Sequence, residues 1–135
     1  MFVHSLLFAS VLLIGCGAET PPPSLVHYAN AQEALADDDF VRAQQALSKM
    51  GEVAAASLNT LATTASRSGD IKAMRTAFKA LSTEIIKNDV PEGYVLAFCP
   101  MADNDKGAHW IQKDGPSIMN PYFGSSMLHC GVFKD

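Results

Sequence analysis

Residues 88–99 read NDVPEGYVLAFC, and the chain changes character inside them. Proline at 91 lacks a backbone N–H and pushes the residue before it out of the helical region, so a helix arriving from upstream must end near Asn88 and Asp89. Tyr94 to Cys99, bounded by Gly93 and Pro100, is short and rich in β-branched and aromatic residues, which reads as an extended strand. Helices are therefore expected before this stretch and something different after it.

Working upstream, Ile71, Met74, Phe78, Leu81 and Ile85 recur at steps of three and four, one face of a helix. The turn SRSGD at 66–70 separates them from a longer stripe: Phe40, Ala43, Leu47, Met50, Ala54, Leu58, Leu61 and Ala65. Gly51 interrupts that stripe at a cost of about 1 kcal/mol relative to alanine, and marks the place for a bend or break. Leu25, Tyr28, Leu35 and Ala36 form a first, shorter stripe in which Gln32 is the polar exception, and it ends at Asp37, Asp38 and Asp39. Asp39 is suited to cap the helix that follows. Each stripe needs partners to cover it, so the expected fold is mainly α: an antiparallel helical bundle of three helices, or four if the long stripe breaks. Met50 and Met74 lie on the stripes and read as core filling.

Downstream, Asp103, Asn104, Asp105, Gly107, Asp114, Gly115, Pro116, Asn120, Pro121 and Gly124 predict an irregular C-terminal segment with one turn around 108–112. Met127 to Phe133 is expected to return and pair with Tyr94 to Cys99 as a short two-stranded ribbon. A long irregular segment in a compact domain points to function or to a covalent or metal constraint.

The other end of the 135-residue chain reads as an export signal. Residues 1–15, MFVHSLLFASVLLIG, carry no Asp, Glu, Lys or Arg, and Leu6 to Ile14 has the length of a signal-peptide apolar core, too short for a membrane-spanning helix. Leu13-Ile14-Gly15-Cys16 resembles a bacterial lipobox, although the positions before the apolar run offer only the α-amine and His4 as positive groups. On this reading Cys16 is lipidated, residues 16–24 form a Pro-rich tether, and 25–135 is one domain. The expected location is the cell envelope, facing the periplasm. Gly17 after the cysteine favours the outer membrane by resemblance to Gram-negative lipoproteins.

A net charge of −4 with no basic block argues against nucleic acid, which needs a clustered Lys/Arg footprint. No Ser/His/Asp set, paired carboxylates or phosphate-cradling glycine loop stands out, so no enzyme activity is expected. Asp103-Asn104-Asp105 starts like a calcium loop, but the sixth position is Ala108 and the twelfth Asp114, which excludes an EF-hand.

The chemistry concentrates in four sulfurs: Cys99 and Met101 two residues apart, Met127 and Cys130 three apart. Thiolates and thioethers select Cu(I), with Ag(I) as its soft analogue, while zinc rarely takes methionine. His129, beside Cys130, is a candidate auxiliary ligand, and His109 a lesser one. The competing reading is a Cys99–Cys130 disulfide closing a loop of about 32 residues, worth roughly 3 to 4 kcal/mol in the chain-entropy model. Residue chemistry leaves the two readings level.

The run CPMADNDKGAHWIQKDGPSIMNPYFGSSMLHCG (99–131) resembles the signature of a bacterial domain family that shares a CPM start, a GAxW block, an NPYFG block and an MLxCG end. Its members occur as periplasmic lipoproteins and as a domain appended to adaptor subunits of copper/silver efflux systems. Met74 to Ile85 and Tyr28 to Asp38 resemble its helices more weakly. The resemblance implies Cys99, Met101, Met127 and Cys130 as the sulfur residues, with Gly107, Trp110, Asn120, Pro121, Tyr122 and Gly124 as scaffold. It implies a heavy-metal setting, with an efflux adaptor or another envelope protein as partner. His109 and His129 depart from the family pattern. The expectation is thus a Cu(I)/Ag(I)-binding envelope lipoprotein, with a disulfide-closed structural or interaction lipoprotein as the alternative.

Overall fold

The computed structural model describes Gly15, Gly17 and residues 19–135. Cys16 and the apolar run before it lie outside the described residues, and no helix among those described is long and apolar enough to cross a membrane.

Helix α1 (Pro23–Ala36) begins with Pro23, whose fixed φ suits the first turn and whose missing N–H would have had no partner there. It buries Leu25, Tyr28 and Leu35 together with Ala29, Ala31 and Ala34, more than one face, because it is covered by neighbours on several sides. Gln32 is also buried, which the sequence presented as a polar break in the stripe; its Nε2 donates to the Met119 carbonyl at 2.6 Å, so the buried amide has a partner.

Helix α2 (Phe40–Val53) starts as expected, with Asp39 Oδ1 accepting from the Arg42 N–H at 3.0 Å. The long second stripe is two helices, and the break is not at Gly51. Ala54 and Ala55 are extended, with ψ of 150° and 154°, and α3 (Ala56–Ser66) begins beyond them. Gly51 stays helical and buried because α3 crosses close by: a Cβ there would stand 2.7 Å from Thr63 Oγ1, and the Gly51 carbonyl accepts from Asn59 Nδ2. Helix α4 (Ile71–Ile85) is capped by Asp70, whose Oδ1 accepts from the Ala73 N–H at 2.8 Å. Its Met74, Phe78, Leu81 and Ile85 are all buried, as their spacing required.

Strand β1 (Tyr94–Cys99) is the centre of a three-stranded antiparallel sheet, ordered β2-β1-β3. Strand β3 (Val132–Lys134) is the expected return of the C-terminus, pairing Phe98 with Val132 and Leu96 with Lys134. Strand β2 (Ala108–Lys113) overturns the reading of 102–126 as irregular, and stands where only a turn around 108–112 was expected. The turn formers on either side of AHWIQK hid a full-length partner that pairs residue for residue with β1, from Cys99 opposite Ala108 to Tyr94 opposite Lys113. Between β1 and β2 lies the single turn α5 (Ala102–Asp105), whose Asp103, Asn104 and Asp105 have φ of 54°, 53° and 64°.

The described residues are thus about 51% helical with a small antiparallel sheet. The helices pack in chain order, and β2 lies against both α1 and α4. There Tyr28 stacks on Phe78 with ring centroids 4.9 Å apart, and its hydroxyl meets Ser82 Oγ at 2.6 Å while accepting from the Ile111 N–H. Burial pushes that phenol well above its ordinary range, so it stays protonated and serves as a buried link between α1, α4 and β2.

Candidate functional site

Cys99 ends β1 with no exposed surface, opposite the small Ala108. Cys130 reaches it from a turn in which its N–H donates to the Met127 carbonyl at 3.1 Å. The two Sγ atoms face each other at 2.9 Å, and both are free thiols. Hydrogen bonding to the Cys99 sulfur, then burial, pushes the Cys130 thiol up to about 11.

What places Cys130 is Asn120, fully buried at the head of the NPYFG block. Its Nδ2 donates to the Cys130 carbonyl at 2.8 Å, its Oδ1 accepts from the Tyr122 and Phe123 N–H groups, and its own N–H donates to the Leu128 carbonyl. One side chain thereby ties the block to the turn carrying the cysteine. Tyr122 fixes the block to β2, its hydroxyl donating to the His109 carbonyl and its ring standing edge-on to Trp110 at 5.9 Å. After Cys130 the backbone lies directly on β1. Gly131 has φ of 138°, and an added Cβ would be 2.8 Å from the Phe98 carbonyl oxygen.

Arg75 on α4 anchors the same block from below. Its Nε donates to the Pro121 carbonyl at 2.8 Å, and its Nη2 to the Leu35 carbonyl and to Asp38 Oδ1, each at 2.7 Å. Asp38 in turn accepts on Oδ2 from the Ser125 N–H and hydroxyl. The Ser125 bonds, then Arg75, hold the Asp38 carboxyl down to about 2. Neither residue was picked out from the sequence. Asp38 was hidden in a run of three aspartates where only Asp39 had an evident local task, and its partners lie far along the chain.

The thioethers gather elsewhere. Met101 and Met127 both line a cleft of about 500 Å³ shared with Lys72, Lys79, Asp103, Tyr122 and Phe123, and neither cysteine is among its lining residues. Met101 is 47% exposed. Lys79 pairs with Asp103 and keeps that carboxyl below its usual range.

His129 is exposed, and its Nδ1 lies 2.8 Å from the Ile118 carbonyl. Facing an acceptor, that nitrogen is the donor, so any metal contact from this ring would come from Nε2. His109 lies against the Phe98 ring at 4.6 Å; burial, then the Lys134 charge, lowers its pKa. Among the described residues no three His, Cys, Asp or Glu side chains converge.

The sequence-predicted residues thus divide into a thiol pair, a thioether cleft and a histidine beside the pair in sequence. Thiols this close can lose two electrons and join, or part slightly and hold a thiophilic ion. With metal–sulfur bonds near 2.3 Å, two thiolates on one ion stand roughly 3.7 to 4.6 Å apart, so holding one requires Cys130 to move by about 1 to 2 Å. The donor set fits a soft ion. No family model matches the chain, and no curated protein or solved structure matches it.

Proposed function

We propose that this protein is a lipid-anchored, periplasm-facing envelope protein that binds Cu(I) or Ag(I) as cargo and buffers it or passes it to a metal-efflux component. The observation that carries the proposal is the meeting of two free thiols from opposite ends of the tail at a pinned backbone position. Cys99 and Cys130 would be the primary ligands, both as thiolates, since the ion competes with protons for sulfur. Met101 and Met127 flank them in sequence and offer a second pair of soft donors, and His129 Nε2 is available as an auxiliary. Anchoring is through Cys16, which intact mass of the membrane-extracted protein would reveal as an acylated N-terminus. Competition for Cu(I) between the reduced protein and a chelator tests the binding. The expected result is high-affinity uptake of one ion, lost when Cys99 and Cys130 are both serine; equal affinity in that variant would refute the assignment.

The 2.9 Å separation favours a second reading, in which the pair is a disulfide staple and the protein a structural or interaction lipoprotein. Alkylation of protein taken directly from the envelope, followed by intact mass, separates the two. Thiols that label without reductant support metal binding, and a pair that labels only after strong reduction supports the staple.

A further inference from the structure

The two sulfurs are not equivalent. Cys99 is wholly enclosed at the end of β1, whereas Cys130 sits in a loop and is only partly buried. A reagent approaching from outside meets one sulfur first, with the other already 2.9 Å behind it. We propose that Cys130 is the exchange sulfur and Cys99 the resolving sulfur of a thiol–disulfide couple, so that an external disulfide switches the pair between an open dithiol and a closed disulfide through a mixed disulfide on Cys130 alone.

The step balances without further components. Cys130 first gives up its proton to solvent, and the minor thiolate form attacks one sulfur of the external disulfide, forming a mixed disulfide and releasing one external thiolate. Cys99, as its thiolate, then attacks the Cys130 sulfur, closing the Cys99–Cys130 bond and expelling the second external thiolate. The protein loses two electrons and two protons, and the external disulfide becomes two thiols. Reduction by an external dithiol retraces the path, entering again at Cys130, because exchange needs access to the attacked sulfur. The pinning of the Cys130 carbonyl by Asn120 keeps the mixed disulfide beside Cys99, so resolution is intramolecular and fast. This inference rests on Cys99 and Cys130 being the functional pair, and it regulates the proposed cargo binding: only the open form presents thiols to an ion.

The test uses the full chain, reduced and then treated with the aromatic disulfide DTNB, with adducts at positions 99 and 130 counted by peptide mass apart from any at Cys16. In the Cys99→Ser protein a stable one-to-one adduct is expected, mapped by peptide mass to Cys130. Cys130→Ser should react about tenfold or more slowly at position 99, until the protein is unfolded. Unsubstituted protein should release two equivalents of the chromophore from this pair and finish as a Cys99–Cys130 disulfide with no adduct. Because the Cys130→Ser protein could loosen around the site, a second measurement uses unsubstituted protein given substoichiometric iodoacetamide, where label should fall on Cys130 in preference to Cys99. Equal labelling, faster reaction at Cys99, or a persistent adduct in unsubstituted protein would overturn the proposal. Cu(I) competition on the fully reduced protein is read separately, so loss of metal binding and loss of exchange order are distinguishable failures.

Discussion

Asn120 makes five hydrogen bonds from a fully buried position, and three of them engage its side chain. Replacing it with alanine strands two backbone N–H groups and one carbonyl, and a stability loss of roughly 2 to 4 kcal/mol is expected in urea unfolding. The same variant should close the Cys99–Cys130 bond more slowly when oxidised, since nothing then fixes the Cys130 backbone. Asp38 carries a pH dependence whose sign is set by its lowered pKa. Its ordinary value is 3.8 and its folded value about 2, so its contribution is complete above roughly pH 4 and disappears as pH falls through 2. Acid titration of stability should therefore show a smaller fall between pH 4 and 2 in Asp38→Asn than in the unsubstituted chain. At this scale the sequence was legible where a residue's task was local, as with Asp39 capping α2. It was illegible where the task was distant: Gln32, Asp38 and Arg75 each bond to groups far along the chain.

Elements were legible through period and illegible where period was silent. The α4 stripe forecast Met74, Phe78, Leu81 and Ile85 as buried, while Ile71 at its start is only half-buried, and Phe78→Ala should cost about 3 to 5 kcal/mol in equilibrium unfolding because the ring is wholly enclosed and stacked on Tyr28. Removing the cap by Asp70→Ala should cost about 1 kcal/mol by the same measurement. The break between α2 and α3 escaped because the apolar spacing runs through it, and alanines 54 to 56 carry no breaker. Gly51 drew attention as the weak point, yet its missing side chain serves the close approach of α3. Strand β2 escaped for the opposite reason. Its six residues lie among so many turn formers that the window around them looked structureless, and only pairing with β1 reveals their role.

For the whole molecule, the two states of the sulfur pair should differ in stability. Oxidation closes a loop of about 32 residues and is expected to add roughly 3 kcal/mol, less any strain. A thermal scan with and without reductant should show the oxidised protein melting on the order of 10 °C higher. Equal melting temperatures would mean that strain in the closed form offsets the whole loop-closure gain. The candidate site was legible as an inventory of sulfurs but not as an arrangement. Spacing suggested one four-sulfur cluster, whereas packing separates enclosed thiols from a thioether cleft between α4, α5 and the NPYFG block. The grip of Arg75 on the Leu35 carbonyl, Asp38 and the Pro121 carbonyl also sets an order of events during folding. These contacts span 40, 37 and 46 residues of chain, so they can form only once α1 and α4 have docked. The tail is therefore expected to seat, and its two thiols to meet, after that docking. On that order, oxidation trapped early in refolding should be slow and should speed up once the helices have formed, so the rate of sulfur pairing reads out assembly of the helical half.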